Sequence, residues 1–236
     1  MKFFDTLLGR TSPAKPDLER LFRLPVAALT LDAALGLRPS GNAGVCFKAM
    51  AGRPFAETRL EIEQLLQLSD APASSAPAPV GNSAPASAHI QQQTDQYGYC
   101  WIIGQSPDFE MLVNRVHVVN STLEEQGYGP VLLCSVFAFV PVAAGERSDG
   151  PGEISSAELA SIGVGGAGQP GGGWSAGPVA YFVYLYKQGT FYPFVPQGRE
   201  RRDLEAEALL ANTAGEDLVI EKDKERWFPI WDVPVH

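Results

Sequence analysis

Two stretches of this chain lack the apolar side chains a folded core needs, and they decide where folded blocks can lie. Residues 71–88 hold seven Ala, four Pro and four Ser among eighteen positions, and residues 163–177 hold eight Gly among fifteen. Neither can bury enough apolar area to offset the entropy of ordering it. With their flanks they set two expected disordered insertions, Ala/Pro/Ser-rich over 70–96 and Gly-rich over 143–177. No block between them has helices and strands enough for a core of its own. The expectation is one α+β domain over 1–236, interrupted twice.

The remaining blocks carry readable periodicity. Val26–Leu31 and Gly44–Ala49 read as short strands. Phe55–Leu68 reads as a helix, with Phe55, Ile62, Leu65 and Leu66 on one face. Tyr97–Ile103 alternates as a strand whose aromatic side is Tyr97, Tyr99 and Trp101. A long helix follows: Ser106 is placed to cap it, Pro107 to open it, and Gly127 to end it. Its stripe is Phe109, Leu112, Val113, Val116, Val119 and Leu123. Val131–Val140 and Val179–Tyr186 read as buried strands. Phe191–Phe194 reads as an edge strand, because Pro193 has no N–H for a central ladder. A last helix is expected over Arg199–Ala211. This order predicts a single mixed sheet, largely antiparallel, with amphipathic helices packed on it.

The charge is −9 overall, which argues against nucleic acid as a partner, since phosphates need a basic face. It is divided unevenly, +4 over residues 1–53 and −13 over the rest. The apolar run Val131–Ala144 is too short to span a bilayer and contains Pro141, and Met1–Arg10 contains Asp5 and no signal-peptide core. The location expected is cytoplasmic, with at most peripheral contact at the inner face of the membrane. The widely spaced Cys46, Cys100 and Cys134 read as reduced, buried thiols.

Signatures of catalysis are sparse. The Gly-rich stretch lacks the Lys-Ser/Thr of a phosphate loop, and no H-x-x-x-H, C-x-x-C or G-x-S-x-G occurs. His117 sits beside the long helix's stripe, with no nucleophile or carboxylate that the sequence can name as its partner. Cofactor and metal are therefore expected to be none, and catalytic residues none. Asn120 falls on the apolar stripe, where its amide needs partners, expected in the loop Gly127–Pro130. Two features are candidate partner contacts. Phe3, Phe4, Leu7 and Leu8 share one face of a basic N-terminal segment. Arg199, Arg201 and Arg202 crowd an expected helix start, where cations oppose the dipole, with Lys187 as a further cation.

The N-terminal MKFFDTLLGRTSP, Val119-Asn-x-x-Leu123 with Gly127-Tyr-Gly-Pro-x-Leu-Leu-Cys134, and Tyr184-Leu-Tyr-Lys-Gln-Gly-Thr-Phe-Tyr-Pro-Phe194 carry a family resemblance. So do Arg201-Arg-Asp203 and Arg226-Trp-Phe-Pro-Ile-Trp231. Together they resemble PspAB, the phage-shock protein A-associated family. The resemblance implies work in the envelope-stress response beside phage-shock protein A, a membrane-binding helical scaffold, and sometimes near a membrane protease. It carries no catalytic residues over.

Two functions are therefore set against each other. One is a cytosolic, non-enzymatic adaptor of the phage-shock system. The other is a small-ligand sensor or enzyme with a pocket on the aromatic sheet face. Exposed aromatics such as Phe191 and Tyr192 would favour the first, and a pocket with convergent polar groups the second.

Overall fold

The computed structural model describes residues 16–48, 56–69, 91–142, 174, 177–198 and 200–235. A 3-10 turn, Leu18–Arg23, runs directly into helix α1, Leu24–Leu35. The strand expected over Val26–Leu31 is thus helical. Leu24, Ala27, Ala28, Leu31 and Leu35 are buried at three- and four-residue spacing, which is the helical period, and a six-residue window was too short to reveal it. Gly36 ends the helix at φ 65° and donates its N–H to the Asp32 carbonyl at 2.9 Å.

Strand β1, Leu37–Lys48, is followed by helix α2, Ala56–Ser69, and strands β2, Gln91–Thr94, and β3, Tyr99–Gln105. Helix α3 spans Phe109–Glu125, β4 Leu132–Pro141, β5 Ala180–Leu185, β6 Thr190–Phe194, and helix α4 Leu204–Thr213. The six strands form one sheet in the order β2-β3-β1-β4-β5-β6, and every neighbouring pair is antiparallel. This is the expected α+β fold, with strand pairing antiparallel throughout. A single parallel bridge, Phe191 to Ile220, lies outside the named strands.

The two edges of the sheet differ. β2 is Gln-Gln-Gln-Thr, exposed throughout. At the other edge, β6 carries Pro193 and is covered by the Val219–Glu221 backbone, which bonds Phe191 N–H and carbonyl at 2.9 and 2.7 Å. Gln91–Thr94 falls inside the expected Ala/Pro/Ser-rich insertion and is nevertheless a strand, because β3 satisfies its backbone. Apart from Gln91–Gln96, Trp174 and Gly177, both expected insertions lie outside the described residues. Trp174 N–H bonds the Leu35 carbonyl at 2.9 Å, and its ring packs on the helix-side core.

Helix boundaries are set by acids that the sequence alone did not single out. Asp108, not Ser106, caps α3, accepting the Met111 N–H at 3.0 Å, while Ser106 Oγ accepts the Asp108 N–H. Asp203 caps α4 by accepting the Ala206 N–H at 3.0 Å. The arginines expected inside that helix therefore precede its cap, and Glu207 offsets the charge of Arg202 there.

The sheet is buried on both faces. Helices α1, α3 and α4 cover one side, over Phe47, Phe137, Phe139, Phe182 and Tyr184. Asn120 spans that interface, donating to Ser135 Oγ on β4 at 2.9 Å and to the Val116 carbonyl at 2.8 Å. Its partner is thus the sheet and its own helix, in place of the expected Gly127–Pro130 loop. On the opposite side the cover is the irregular C-terminal segment, over Trp101, Val136, Tyr181, Val183 and Phe194. Gly44 makes this approach possible: a Cβ there would stand 2.8 Å from Val235 Cγ2.

Candidate functional site: an apolar cleft on the sheet

Alternation along a strand sends successive side chains to opposite faces, and antiparallel register lines up the survivors across strands. On the side away from the helices, one such row is Trp101 of β3, Cys46 of β1, Cys134 of β4 and Leu185 of β5. The C-terminal cover reaches only part of this face. What it leaves is a cleft of about 780 Å³, floored by that row and by Tyr192 of β6. Phe228, Pro229, Ile230 and Trp231 form one wall, and Tyr97 and Tyr99 the other. Lys187, Gln188 and Glu200 stand at its margin.

The wall from the C-terminal segment is pinned through its backbone. Arg202 Nη1 donates to the Trp227 carbonyl at 2.6 Å, Tyr192 Oη to that of Phe228 at 2.8 Å, and Tyr181 Oη to that of Val235 at 3.1 Å. Trp227 Nε1 donates to the Glu221 carbonyl at 3.0 Å, and Lys224 Nζ lies 3.1 Å from the Trp227 ring centre. The opposite wall is built on Asp95. Its Oδ1 accepts the N–H groups of Tyr97 and Tyr99, and its Oδ2 accepts Trp101 Nε1, each at 2.9 Å.

On the cleft floor the polar groups are few. A hydrogen bond to Cys134, together with burial, pushes the Cys46 thiol far above the ordinary cysteine range. Burial likewise raises the Tyr192 hydroxyl. Asp95 is the carboxylate of the cleft beside Trp101, and three N–H groups already occupy it. Among the described residues, no group of three or more His, Cys, Asp or Glu is disposed to hold a metal. The arrangement is chemically an apolar receptor with aromatic walls and a thiol pair beneath it.

Of the residues singled out by sequence, Phe3, Phe4, Leu7, Leu8 and Arg199 lie outside the described residues. Lys187 is exposed at the cleft margin, and Arg201 is exposed on the segment before α4. Arg202 is turned inward, bonded to Glu207 and to the Trp227 carbonyl, so its guanidinium is not part of an outward cationic face. Phe191 and Tyr192 are fully buried, contrary to their expected exposure, because the 219–221 backbone and the C-terminal segment cover β6. The most exposed aromatics among the described residues are Phe228 (57%) and Tyr97 (56%). Tyr97 belonged to the alternating face seen in sequence. Phe228 lies in an irregular segment, where no periodicity reveals which way a side chain points. His117 finds a carboxylate after all, Glu19 at 3.5 Å, and its ring lies tilted against Phe22, 4.9 Å between centroids.

Residues 1–235 match the family model described as PspA associated protein B. The chain belongs to that family. No curated protein and no solved structure matches it at a significant level. Membership of the PspA-associated family ties the chain to the PspA system. Among the described residues of this PspA-associated protein, no helix is long and apolar enough to cross a membrane.

Proposed function

We propose that this protein is a non-enzymatic adaptor of the phage-shock system, working by protein–protein contact at the inner face of the membrane. Its first partner is a PspA-like scaffold, and a membrane protease of the same system is a further one. The observation that carries this reading is the family match over residues 1–235. The exposed aromatic walls of the cleft support it. The contact residues are Phe3, Phe4, Leu7 and Leu8 on the +4 N-terminal segment, with Lys187, Arg199 and Arg201 as outlying cations. Arg202 is left out of this set because Glu207 holds it.

Co-sedimentation of the full chain with a PspA-like scaffold on anionic liposomes tests the proposal. Deletion of residues 1–10 should weaken capture, added salt should weaken it further, and Lys187→Glu with Arg201→Glu should compound the loss. Capture unchanged by all three would overturn these contacts. No association in any form would overturn the adaptor reading itself.

A second reading rests on the cleft volume, which falls within the range of small-molecule pockets. In that reading the protein senses an apolar ligand. Native mass spectrometry of freshly purified protein separates the two: a retained small molecule lost in Trp231→Asp supports the sensor.

A further inference from the structure

Cys46 and Cys134 occupy directly opposed positions on antiparallel β1 and β4. Opposed residues of such a pair have Cα atoms about 4.5–5.5 Å apart, inside the range a disulfide spans. Cys46 and Cys134 are buried, at 4% and 9% exposure, and both line the cleft floor. Cys100 is differently placed. It precedes Trp101 on β3, so it faces the helices and packs on their core. The three cysteines therefore divide into a facing pair under an open cleft and a single thiol on the far side of the sheet.

We propose that Cys46 and Cys134 form a dithiol–disulfide site, a reversible modification site on the cleft floor that takes a peroxide-class oxidant. In the first step a thiolate sulfur attacks a peroxide oxygen, the O–O bond breaks, and the departing hydroxide takes up a proton as water. The resulting sulfenic acid is attacked by the facing thiol. An S–S bond forms, the S–O bond breaks, and the second oxygen leaves as water with the thiol proton. Two thiols and one hydrogen peroxide give one disulfide and two waters, with two electrons passing from sulfur to oxygen. The facing Cys134 and burial raise the Cys46 thiol, so thiolate on that sulfur is scarce. Closure ties the two central strands together beneath the cleft and changes its floor, with Trp101 adjacent as a reporter.

The test uses the reduced full chain exposed to hydrogen peroxide, alkylated, and mapped by peptide mass spectrometry. The expected product is an intramolecular link between Cys46 and Cys134, with Cys100 still alkylated, a fall in tryptophan fluorescence, and full reversal by dithiothreitol. Cys100→Ser should leave the link intact, and Cys46→Ser or Cys134→Ser should abolish it. The wild-type map needs no variant to fold. Oxidation that lands on Cys100 first, links separate chains, or stops at unlinked sulfenic and sulfinic acids overturns it. So does a native pair that stays alkylatable under peroxide that oxidises the same chain in urea.

Discussion

Arg202 and Glu207 form a two-pronged ion pair at the junction of β6, α4 and the C-terminal segment. Arg202 Nε and Nη2 meet the carboxylate at 2.6–3.0 Å, while Glu207 Oε1 also accepts the Val195 N–H at 3.0 Å. The guanidinium lies over Phe194 and holds the Trp227 carbonyl. One side chain thus joins a helix, an edge strand and the segment that walls the cleft.

Removing that cation should be costly, because Glu207 is 1% exposed and would be left as an uncompensated buried charge. Arg202→Ala is expected to lose about 3–5 kcal/mol in urea denaturation. Arg201→Ala, one residue earlier and exposed, should stay within about 0.5 kcal/mol of wild type.

Alkaline stability should be limited by buried tyrosines. Burial raises the hydroxyls of Tyr184 and Tyr192 above their ordinary value of 10 in the folded state. Both forms of the protein hold these protons below pH 10, so stability is unaffected there. Above it the unfolded chain ionises first and stability falls with rising pH. Tyr192→Phe should flatten that decline, measured by urea midpoints from pH 8 to 11, and should cost about 1 kcal/mol at neutral pH for the lost Phe228 bond.

At the acid end the group to watch is Glu221. Burial alone would raise its carboxyl, but the Asp223 N–H, Thr190 Oγ1 and Arg226 together hold it below the ordinary 4.5. Its contribution is present above that value and is lost as pH falls towards the folded-state pKa. Glu221→Gln should therefore narrow the stability gap between pH 6 and pH 3 relative to wild type.

Gly44→Ala tests how the C-terminal segment seats on the sheet. The added methyl meets Val235 Cγ2 at 2.8 Å and Trp101 Cε3 at 3.3 Å. We expect a loss of about 1–3 kcal/mol from overpacking. Val235→Ala in the same chain should recover part of it, giving a measurable coupling in a double-mutant cycle.

What could be read from the residues follows how local the determining pattern is. The α3 stripe repeats over four turns, and Leu112, Val113, Val116, Val119 and Leu123 are all buried. Pro193 marked an edge strand because a missing N–H acts at its own position. Helix α1 is not legible over Val26–Leu31 alone, because the helical period shows only with Leu24 and Leu35 included. Arg201 and Arg202 fall before the helix, because Asp203 as a cap outweighs the amphipathic pattern before it. The Cys46–Cys134 opposition could not be read at all. It depends on register between residues 88 positions apart, which burial of a sheet face specifies and no local pattern reveals. The cleft wall at 228–231 was equally hidden, since it is held by bonds to its backbone.

That manner of attachment has a consequence for divergence. Arg202, Tyr192 and Tyr181 grip main-chain oxygens at 227, 228 and 235, and every amino acid offers the same oxygen. Phe228, Pro229 and Ile230 are free of that duty. Relatives can exchange these side chains, and with them the shape and taste of the cleft, while the clamp beneath stays fixed. A change of partner in this lineage needs no change of fold, only new side chains on an already fastened strap.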